Sequence, residues 1–145
     1  MNILLVEDND VDVLLFQRAL RNAGTQSTVV RAKDGVEALE ILNAQGADKQ
    51  VLDPYVILLD INMPRMNGHE FLKELRASED IPGSRVVVVT TSSDPKDIEL
   101  AYGSYASGYV VKPSGTAEMT KVIDTLHNYW GVCEQPVRRC DQQTQ

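Results

Sequence analysis

The sequence predicts a doubly wound α/β domain, in which helices cover both faces of a parallel sheet. Five short apolar runs alternate along the chain with segments whose apolar residues recur at helical spacing. The third run, Val56–Leu59, shows no polar alternation, which is typical of a parallel strand that is covered on both faces. Strands that alternate with helices pair in parallel through right-handed crossovers. A chain of 145 residues has room for one such domain.

The five apolar runs predict the strands. They are Met1–Val6, Thr28–Ala32, Val56–Leu59, Val86–Val89 and Tyr109–Val111. The fourth run is β-branched throughout, which favours a strand over a helix. The first and third runs stop at acidic residues, the fourth at hydroxyl residues and the fifth at a lysine, and the carboxyl ends of such strands are where open α/β sheets bind ligands.

Capping residues predict where the helices begin and end. The predicted helix starts are Asp10, Asp34, the turn Met63–Gly68, the pair Asp94-Pro95 and Thr116. Asp34 with Glu37 three residues later forms an acidic version of the capping box. Pro95 is suited to the first turn of a helix, and Gly24 is suited to closing the first helix.

Apolar residues at helical spacing predict which side of each helix is buried. The predicted stripes are Val11, Leu14, Leu15, Ala19 and Leu20; Val36, Leu39, Ile41 and Leu42; Phe71, Leu72 and Leu75; Ile98, Leu100, Ala101 and Tyr102; and Met119, Val122, Ile123, Leu126, Tyr129 and Trp130. The polar segment 43–53 is expected to be a mobile surface loop. The folded domain is expected to span 1–131, and 132–145 to form a polar, frayed tail.

Composition excludes several classes of function. A net charge of −7 and a pI near 4.7 argue against a nucleic-acid surface, which needs clustered basic residues. No apolar run is long enough to span a membrane, and no basic-then-apolar leader stands at Met1, so a cytoplasmic protein is expected. Cys133 and Cys140 have too few other ligand types nearby for a zinc site, and a reduced pair is expected.

The residues that follow the strands predict a site. They are Glu7 and Asp8 after the first strand, Asp60 after the third, Thr90 at the end of the fourth, and Lys112 after the fifth. Three carboxylates brought together repel one another, so either one of them keeps a proton or a divalent cation lies among them. Oxygen ligands without His or Cys favour Mg²⁺ or Mn²⁺.

This set of residue types is suited to phosphoryl transfer. Asp60 would be the nucleophile, since a carboxylate can form an acyl phosphate. Lys112 and the hydroxyl of Thr90 could bind the oxygens over which charge spreads during transfer. Singly, each residue has an ordinary explanation as a surface or turn residue, and only their convergence favours a site. A cis bond before Pro113 could direct Lys112 into it.

The ordered motifs of the chain resemble those of the CheY-like receiver domains of two-component response regulators. The matching motifs are Ile3–Asp8, Asp34–Leu39, Leu58–Pro64 with Asn67-Gly68, Val89-Thr90 and Tyr109–Pro113. This resemblance implies strand order 2-1-3-4-5 and a phosphoryl group that Asp60 accepts from a sensor histidine kinase. It implies that Asp8, Asp60 and the backbone carbonyl of Asn62 bind Mg²⁺, and that Glu7 supports them through water.

The resemblance also implies a switch pair, Thr90 and Tyr109, and a protein that is no enzyme beyond self-phosphorylation and slow self-dephosphorylation. The long loop before Pro54 and the ending Leu126–Trp130 resemble the standalone regulators that serve bacterial phytochromes. No output domain follows Trp130, so the signal is expected to leave through a protein contact or a change of oligomer. The aromatic residues expected at a homodimer interface are Tyr102, Tyr105, Tyr109 and Trp130.

Two positions depart from the family pattern. Tyr105 stands where a helix-ending glycine is usual, and a bulky residue is a poor left-handed cap, so this helix end is expected to be reshaped. Thr91 replaces a small residue after the switch threonine and is expected to narrow access to the phosphoryl group.

Three other functions share part of this pattern. A flavodoxin-like cofactor binder needs a hydroxyl-rich or glycine-rich loop after its first strand, whereas Glu7–Asp10 would repel a phosphate. A phosphatase of the haloacid dehalogenase type also uses an Asp after a strand, but it carries Asp-x-Asp, and residue 62 is Asn. A receiver that is never phosphorylated and serves only as an interaction scaffold is the remaining alternative.

Overall fold

The computed structural model describes residues 1–43, 49–79, 81 and 83–135. Five strands and five helices alternate within these ranges. They are β1 (Asn2–Val6), α1 (Asp10–Ala23), β2 (Thr28–Ala32), α2 (Gly35–Leu42), β3 (Tyr55–Leu59), α3 (Gly68–Ala77), β4 (Arg85–Thr90), α4 (Pro95–Gly103), β5 (Gly108–Val111) and α5 (Thr116–Val132). None of the helices in these ranges is long and apolar enough to cross a bilayer.

All strands run parallel, in the order β2-β1-β3-β4-β5, which confirms the doubly wound fold and its strand order. Strand β3 lies in the middle, and each of its five residues is buried. The register pairs Val6 with Leu59 and Thr90 with Val111, so these strands end at a common edge. The polar residues that follow them therefore emerge side by side.

Each face of the sheet has its own core because alternate strand residues point to opposite faces. On one face, Ile57 and Leu59 pack with α2 and α3, and Phe71 is fully buried among them. On the other face, Val56 and Leu58 pack with α1 and α5. A small third cluster beneath α4 contains Ile61, Val88, Ala101 and Ala106.

The N-cap of helix α1 lies one residue before the predicted cap, Asp10. Asn9, not Asp10, is the N-cap, and its side chain accepts hydrogen bonds from the N–H groups of Val11 and Asp12. Gly24 closes the helix in the left-handed conformation, as predicted. The predicted core stripe is partly wrong, because Val11 and Leu14 are each 63% exposed. The buried positions are Val13, Phe16, Ala19 and Leu20, on the side that packs against the sheet and α5.

The caps of the next helices agree largely with the sequence. Asp34 accepts from the N–H of Glu37, but the Glu37 carboxylate bonds to the N–H of Lys33, so the reciprocal half of the box is shifted by one residue. Asn67 and Glu70 form a complete capping box that the sequence analysis missed. Asp94 caps α4, as predicted.

Helices α4 and α5 bury less than their sequence stripes predicted. In α4 only Ala101 is buried, and Leu100 and Tyr102 are 53% and 48% exposed. The reason is that α4 covers the outer part of the sheet, where only a narrow strip of the helix meets β5 and β4. In α5, Met119 and Ile123 are buried, whereas Tyr129 is 65% exposed.

The turn after α4 keeps a left-handed residue despite the lack of glycine. Tyr105 has φ 62°, and the N–H groups of Tyr105 and Ala106 donate to the carbonyls of Tyr102 and Ala101. These two bonds make the usual left-handed helix ending, so the expected reshaping does not occur. The guanidinium of Arg76 donates to the carbonyls of Ser104 and Tyr105 and holds this turn in place.

The two segments expected to be loop and tail fall partly outside the described residues, at 44–48 and 136–145. Helix α5 continues through Val132, one residue past the expected domain boundary. Cys133 carries a free thiol, and Cys140 lies outside the described residues.

Candidate functional site

Three carboxylates converge at the carboxyl edge of the sheet. One oxygen from each of Glu7, Asp8 and Asp60 lies within 4.8 Å of the others. The backbone brings them together because the N–H of Asp60 donates to the carbonyl of Val6, which continues the pairing of β3 with β1 past the strand ends. Glu7 and Asp60 are only 3% and 8% exposed, whereas Asp8 faces solvent. The cluster is thus open on one side.

Lys112 reaches this cluster from the far side of the sheet. Its Nζ lies 2.9 Å from Oε1 of Glu7, 3.0 Å from Oδ2 of Asp12 and 3.5 Å from Oδ2 of Asp60. The bond before Pro113 is trans, so the prediction of a cis bond there is wrong. The long side chain of Lys112 reaches the carboxylates without a cis bond. The N–H of Lys112 donates to the carbonyl of Thr90, which extends the pairing of β5 with β4 and fixes where this side chain begins.

The pKa of Glu7 shows how the repulsion among the carboxylates is relieved. Burial, and next the neighbouring carboxylate of Asp60, raise the pKa of Glu7 to about 9, although Lys112 opposes the shift. Burial would lower the pKa of Lys112, but its hydrogen bonds to Glu7 and Asp12 outweigh that effect and raise it. At neutral pH the metal-free cluster therefore keeps one proton on Glu7 beside a charged lysine.

Two buried polar atoms at the site have no hydrogen-bond partner among the described residues. They are Oε2 of Glu7 and Oγ1 of Thr90, and Thr90 is fully buried. A buried hydroxyl without a partner is unfavourable by about 1–3 kcal/mol, so native proteins rarely contain one without a functional reason. The Thr90 hydroxyl is available to donate to an oxygen that arrives at the end of β4.

The donor set fits a hard divalent cation. Every candidate ligand atom at the cluster is a carboxylate oxygen, and Mg²⁺ and Mn²⁺ prefer such ligands. The unpaired Oε2 of Glu7 adds an acceptor that is oriented by Lys112 on the other oxygen of the same carboxylate. The backbone of Asn62 lies next to this cluster, with its nitrogen 3.4 Å from Oδ1 of Asp60.

Sequence reasoning missed two residues of this site. Asp12 stands on α1, not at a strand end, yet it shares Lys112 with Glu7. The acidic run after β1 continues to position 12, and this pattern could have indicated Asp12 as part of the site. Arg31 on β2 holds that loop, since its guanidinium donates to the carbonyls of Glu7 and Asp8 and pairs with Asp10 at 2.7 Å.

The predicted switch residues occupy neighbouring strands. Thr90 ends β4, and Tyr109 is a half-buried residue of β5 whose hydroxyl donates to the carbonyl of Ser92 at 2.8 Å. Oγ of Ser92 in turn donates to Asp97 at 2.5 Å, and Asp97 lies 2.9 Å from Nε2 of His69. The tyrosine is therefore tied to the loop between β4 and α4.

Of the four aromatic residues expected at an interface, two are exposed and two are half-buried. Tyr102 and Tyr105 are 48% and 79% exposed, and Tyr105 lies past the end of α4. Trp130 is half-buried and packs inward on the core of α1 and α5, with the Arg85 guanidinium 5.6 Å from its ring centroid. Tyr109 is also only partly exposed.

A cavity of about 320 Å³ opens beside the carboxylates, between α1, α5 and the sheet. Asp60 and Lys112 line its polar end, and Phe16 and Met119 line its apolar depth. Thr91, the residue expected to narrow access, also lines it.

Comparison with known proteins gives one family. The sequence-family model of the response regulator receiver domain matches residues 3–124. The probable methanogenesis regulatory protein FilR2 of Methanothrix harundinacea is 33% identical over 128 residues, which cover 88% of this chain and 82% of FilR2. Response regulator Rcp1 of Synechocystis sp. is 31% identical over 128 residues, which cover 88% of this chain and 87% of Rcp1.

Solved structures of relatives have the same fold. The phosphorylated cyanobacterial phytochrome response regulator RcpA superposes with a TM-score of 0.80 at 30% identity, covering 93% of this chain and 97% of RcpA. The Mn²⁺-bound form of Rcp1 superposes with a TM-score of 0.78 at 29% identity, covering 93% of this chain and 98% of Rcp1.

Proposed function

The chain belongs to the response regulator receiver domain family, and from this premise we propose that Asp60 accepts a phosphoryl group from a sensor histidine kinase. One observation carries the proposal: the buried carboxylate of Asp60 lies 3.5 Å from the charged Lys112, beside a Thr90 hydroxyl that has no partner among the described residues. An anion that arrives at Asp60 would meet a cation and a hydrogen-bond donor, already oriented.

The residues proposed to hold Mg²⁺ or Mn²⁺ are Asp8, Asp60 and the backbone carbonyl of Asn62, with Glu7 acting through water. When bound, the cation would neutralise part of the negative charge that the incoming phosphoryl group adds to the cluster. The Mn²⁺-bound structure of Rcp1 supports this choice of metal. The protein's own contribution is to keep the carboxylates together, which Lys112 does from one side and Arg31 from the other.

The proposed transfer uses the side chains in distinct roles. An oxygen of Asp60 attacks phosphorus, the new P–O bond forms, and the bond from phosphorus to the kinase histidine nitrogen breaks with its electron pair returning to that ring. Lys112 attracts one equatorial oxygen, and Thr90 donates its hydroxyl to another. The product is an acyl phosphate on Asp60.

Receiver domains are generally not enzymes in the usual sense, and we propose the same here. The phosphoryl group stays on the protein, so the reaction with the kinase is a transfer, not a turnover. Self-phosphorylation from small donors and slow self-dephosphorylation are the reactions that we expect beyond this transfer. Asn62 places a neutral amide where a phosphatase of the haloacid dehalogenase type carries its second Asp, so this position cannot act as the general acid in turnover of phosphate esters.

The proposed signal is a rearrangement at Thr90 and Tyr109. A phosphoryl group adds about 1.5 to 2 negative charges and three strong acceptors, enough to draw the Thr90 hydroxyl toward Asp60. Tyr109 would then release the Ser92 carbonyl and rotate into the space that is vacated beside β4. Because Ser92 is bonded to Asp97, the same change would reach α4.

We propose that this signal changes a protein contact near α4, through a homodimer that buries Tyr102 and Tyr105. Their exposure supports this surface. The similarity to RcpA, which is a phytochrome response regulator, and to Rcp1 supports a phytochrome-type kinase as the phosphodonor.

Intact-mass spectrometry after incubation with acetyl phosphate and Mg²⁺ tests the proposed function. The protein should gain the mass of one phosphoryl group, and Asp60→Asn should abolish the gain because an amide cannot form the acyl phosphate. Excess chelator should also abolish it. An unmodified wild-type protein, or equal labelling of Asp60→Asn, would refute the proposal; the first result favours the interaction scaffold.

A further inference from the structure

The loop between β3 and α3, residues 60–67, carries Asp60 and Asn62, and its tip has an unfavourable backbone. Arg65 has φ 61°, and the N–H of Met66 donates to the carbonyl of Pro64 at 2.7 Å, which closes a three-residue turn around Arg65. Turns of this kind with positive φ are rare and strained for residues other than glycine. Such a turn persists only where its surroundings hold it.

The side chain of Arg65 keeps this turn in place by pairing with Asp34. Its Nε lies 2.7 Å from Oδ2 of Asp34, and its terminal nitrogen lies 3.0 Å from Oδ1, so the contact is bidentate. Asp34 is 5% exposed and also caps α2 by accepting from the N–H of Glu37. Burial would raise the pKa of Asp34, but the bonds from Arg65 outweigh it and lower the pKa, so the carboxylate stays charged. A paired guanidinium and carboxylate fix direction as well as distance.

Close packing at two glycines completes the docking of the loop. A Cβ on Gly35 would lie 2.9 Å from the side-chain Cγ and Sδ of Met66, so the loop tip rests directly on the start of α2. A Cβ on Gly68 would lie 2.7 Å from the carbonyl oxygen of Asp60, and the N–H of Gly68 donates to the carbonyl of Ile61. The backbone of 60–62 is therefore held between a closed base and a docked tip.

We propose that Asp34 and Arg65 are positioning residues for the phosphoacceptor loop, which orient the backbone after Asp60 so that it can help to bind a divalent cation. This inference rests on the proposed function of Asp60. Neither side chain would touch the metal or the phosphoryl group. Partners that orient the ligands of a metal typically change its affinity by about 10- to 100-fold when they are lost.

Two variants break the contact from opposite ends. Asp34→Asn keeps a side-chain oxygen that can cap α2, because Asn and Asp are comparable caps, but it removes the charge that pairs with Arg65. Arg65→Gly removes the guanidinium and tolerates positive φ. We expect each to weaken Mn²⁺ binding about tenfold, measured by the electron paramagnetic resonance signal of free Mn²⁺. The double variant should bind no more weakly than the weaker single variant, because both act through one contact.

The matched control is Glu37→Gln. This change weakens the ion pair of Glu37 with Lys49, whose Nζ lies 2.9 Å away, and removes no hydrogen bond of the acceptor loop. Its Mn²⁺ affinity should stay within twofold of wild type. A loss in this control equal to that of Asp34→Asn would overturn the proposal, because any weakened ion pair on α2 would then suffice.

If Asp34 and Arg65 only stabilise the fold, their variants should lose stability but keep the wild-type affinity for Mn²⁺. Circular dichroism during urea unfolding shows whether each variant is folded at the working temperature. If folded Arg65→Gly binds Mn²⁺ within twofold of wild type, the positioning role is overturned. If Asp34→Asn does not fold, Arg65→Gly alone tests the positioning role. The Arg65 side chain is 61% exposed, so its loss leaves no cavity in the core.

Failure of the inference and failure of the proposed function give different results. If wild type binds Mn²⁺ and is labelled at Asp60 while both variants match it, only the positioning role is wrong. If wild type neither binds Mn²⁺ nor becomes labelled, the proposed function is wrong and the positioning role with it.

Discussion

Nζ of Lys112 lies 2.9 Å from Oε1 of Glu7, although β3 and β4 separate the strands that precede these two residues. The same carboxyl group has a pKa raised to about 9, chiefly because it is buried. Neutral Glu7 accepts a hydrogen bond from the Lys112 ammonium on Oε1, and its other oxygen is the unpaired Oε2. The metal-free site therefore carries one negative charge fewer than the form that would bind a cation.

We expect metal affinity to rise with pH because of this proton. The pKa of Glu7 is raised from 4.5 to about 9, so the metal-free fold holds the proton throughout that interval, and a cation must displace it. Apparent Mn²⁺ affinity should therefore increase by up to about tenfold per pH unit from pH 6.5 and level off near pH 9. Titration calorimetry in buffers of different ionisation enthalpy would count the released proton. Glu7→Gln should remove the dependence; a flat wild-type profile contradicts the assignment.

Lys112 should matter more for transfer than for metal binding. In Lys112→Met the equatorial oxygens of the phosphoryl group lose the ammonium group that attracts them, and labelling by acetyl phosphate should slow by about 100-fold. Mn²⁺ should still bind, because the three carboxylates remain. The exposed Lys121 on α5 provides the control, and Lys121→Met should be labelled at the wild-type rate. Equal rates for the two variants would leave Lys112 without a role in transfer.

Thr90→Val should stabilise the metal-free protein. Valine has nearly the same shape, and it removes a fully buried hydroxyl that has no partner in the described part of the chain. We expect the free energy of unfolding to increase by about 1 kcal/mol in urea. Thr120→Val is the control, because the Thr120 hydroxyl donates to the carbonyl of Thr116, and this change should give no gain.

The same Thr90→Val variant should separate phosphorylation from signalling. It keeps Asp60 and the carboxylates, so it should still be labelled, but it lacks the hydroxyl that a phosphoryl oxygen would attract. The NMR signals of the Tyr109 ring should shift with beryllofluoride in wild type and stay unchanged in Thr90→Val. Equal shifts in both proteins would show that Tyr109 responds by another route.

Tyr105→Gly should stabilise the turn after α4. Tyr105 has φ 62°, a conformation that costs a residue with a side chain about 1 kcal/mol and costs glycine little. The matched variant is Tyr105→Ala, which loses the same ring but keeps a Cβ. The unfolding free energy should be about 1 kcal/mol higher for Gly than for Ala. A glycine variant that is no more stable than the alanine variant would mean that the Arg76 contacts have removed the strain.

The proposed dimer can be tested by sedimentation velocity. With beryllofluoride and Mg²⁺, wild type should shift toward a dimer, and Tyr102→Ala with Tyr105→Ala should reduce that shift because two exposed rings are lost. Tyr129→Ala is the control, since Tyr129 is 65% exposed on α5. A monomer in both states would exclude this contact as the output.

The sequence alone specified the edge at which the site lies. Parallel strands of similar length end at one edge, so the positions of Glu7, Asp60, Thr90 and Lys112 along the chain were enough to predict their convergence. It also specified the two caps at Gly24 and Asp94, since capping depends on local backbone and side-chain chemistry.

Only the tertiary structure decided which helix residues are buried and which distant side chains meet. Val11 and Leu14 fit a helical stripe, yet the side of α1 that packs is set by α5, which follows about a hundred residues later in the chain. The contacts of Asp12 with Lys112 and of Asp34 with Arg65 join segments whose separation carries no periodic signal. Such pairs depend on the geometry of the assembled sheet, because the chain must already be folded before these charges come within hydrogen-bond distance.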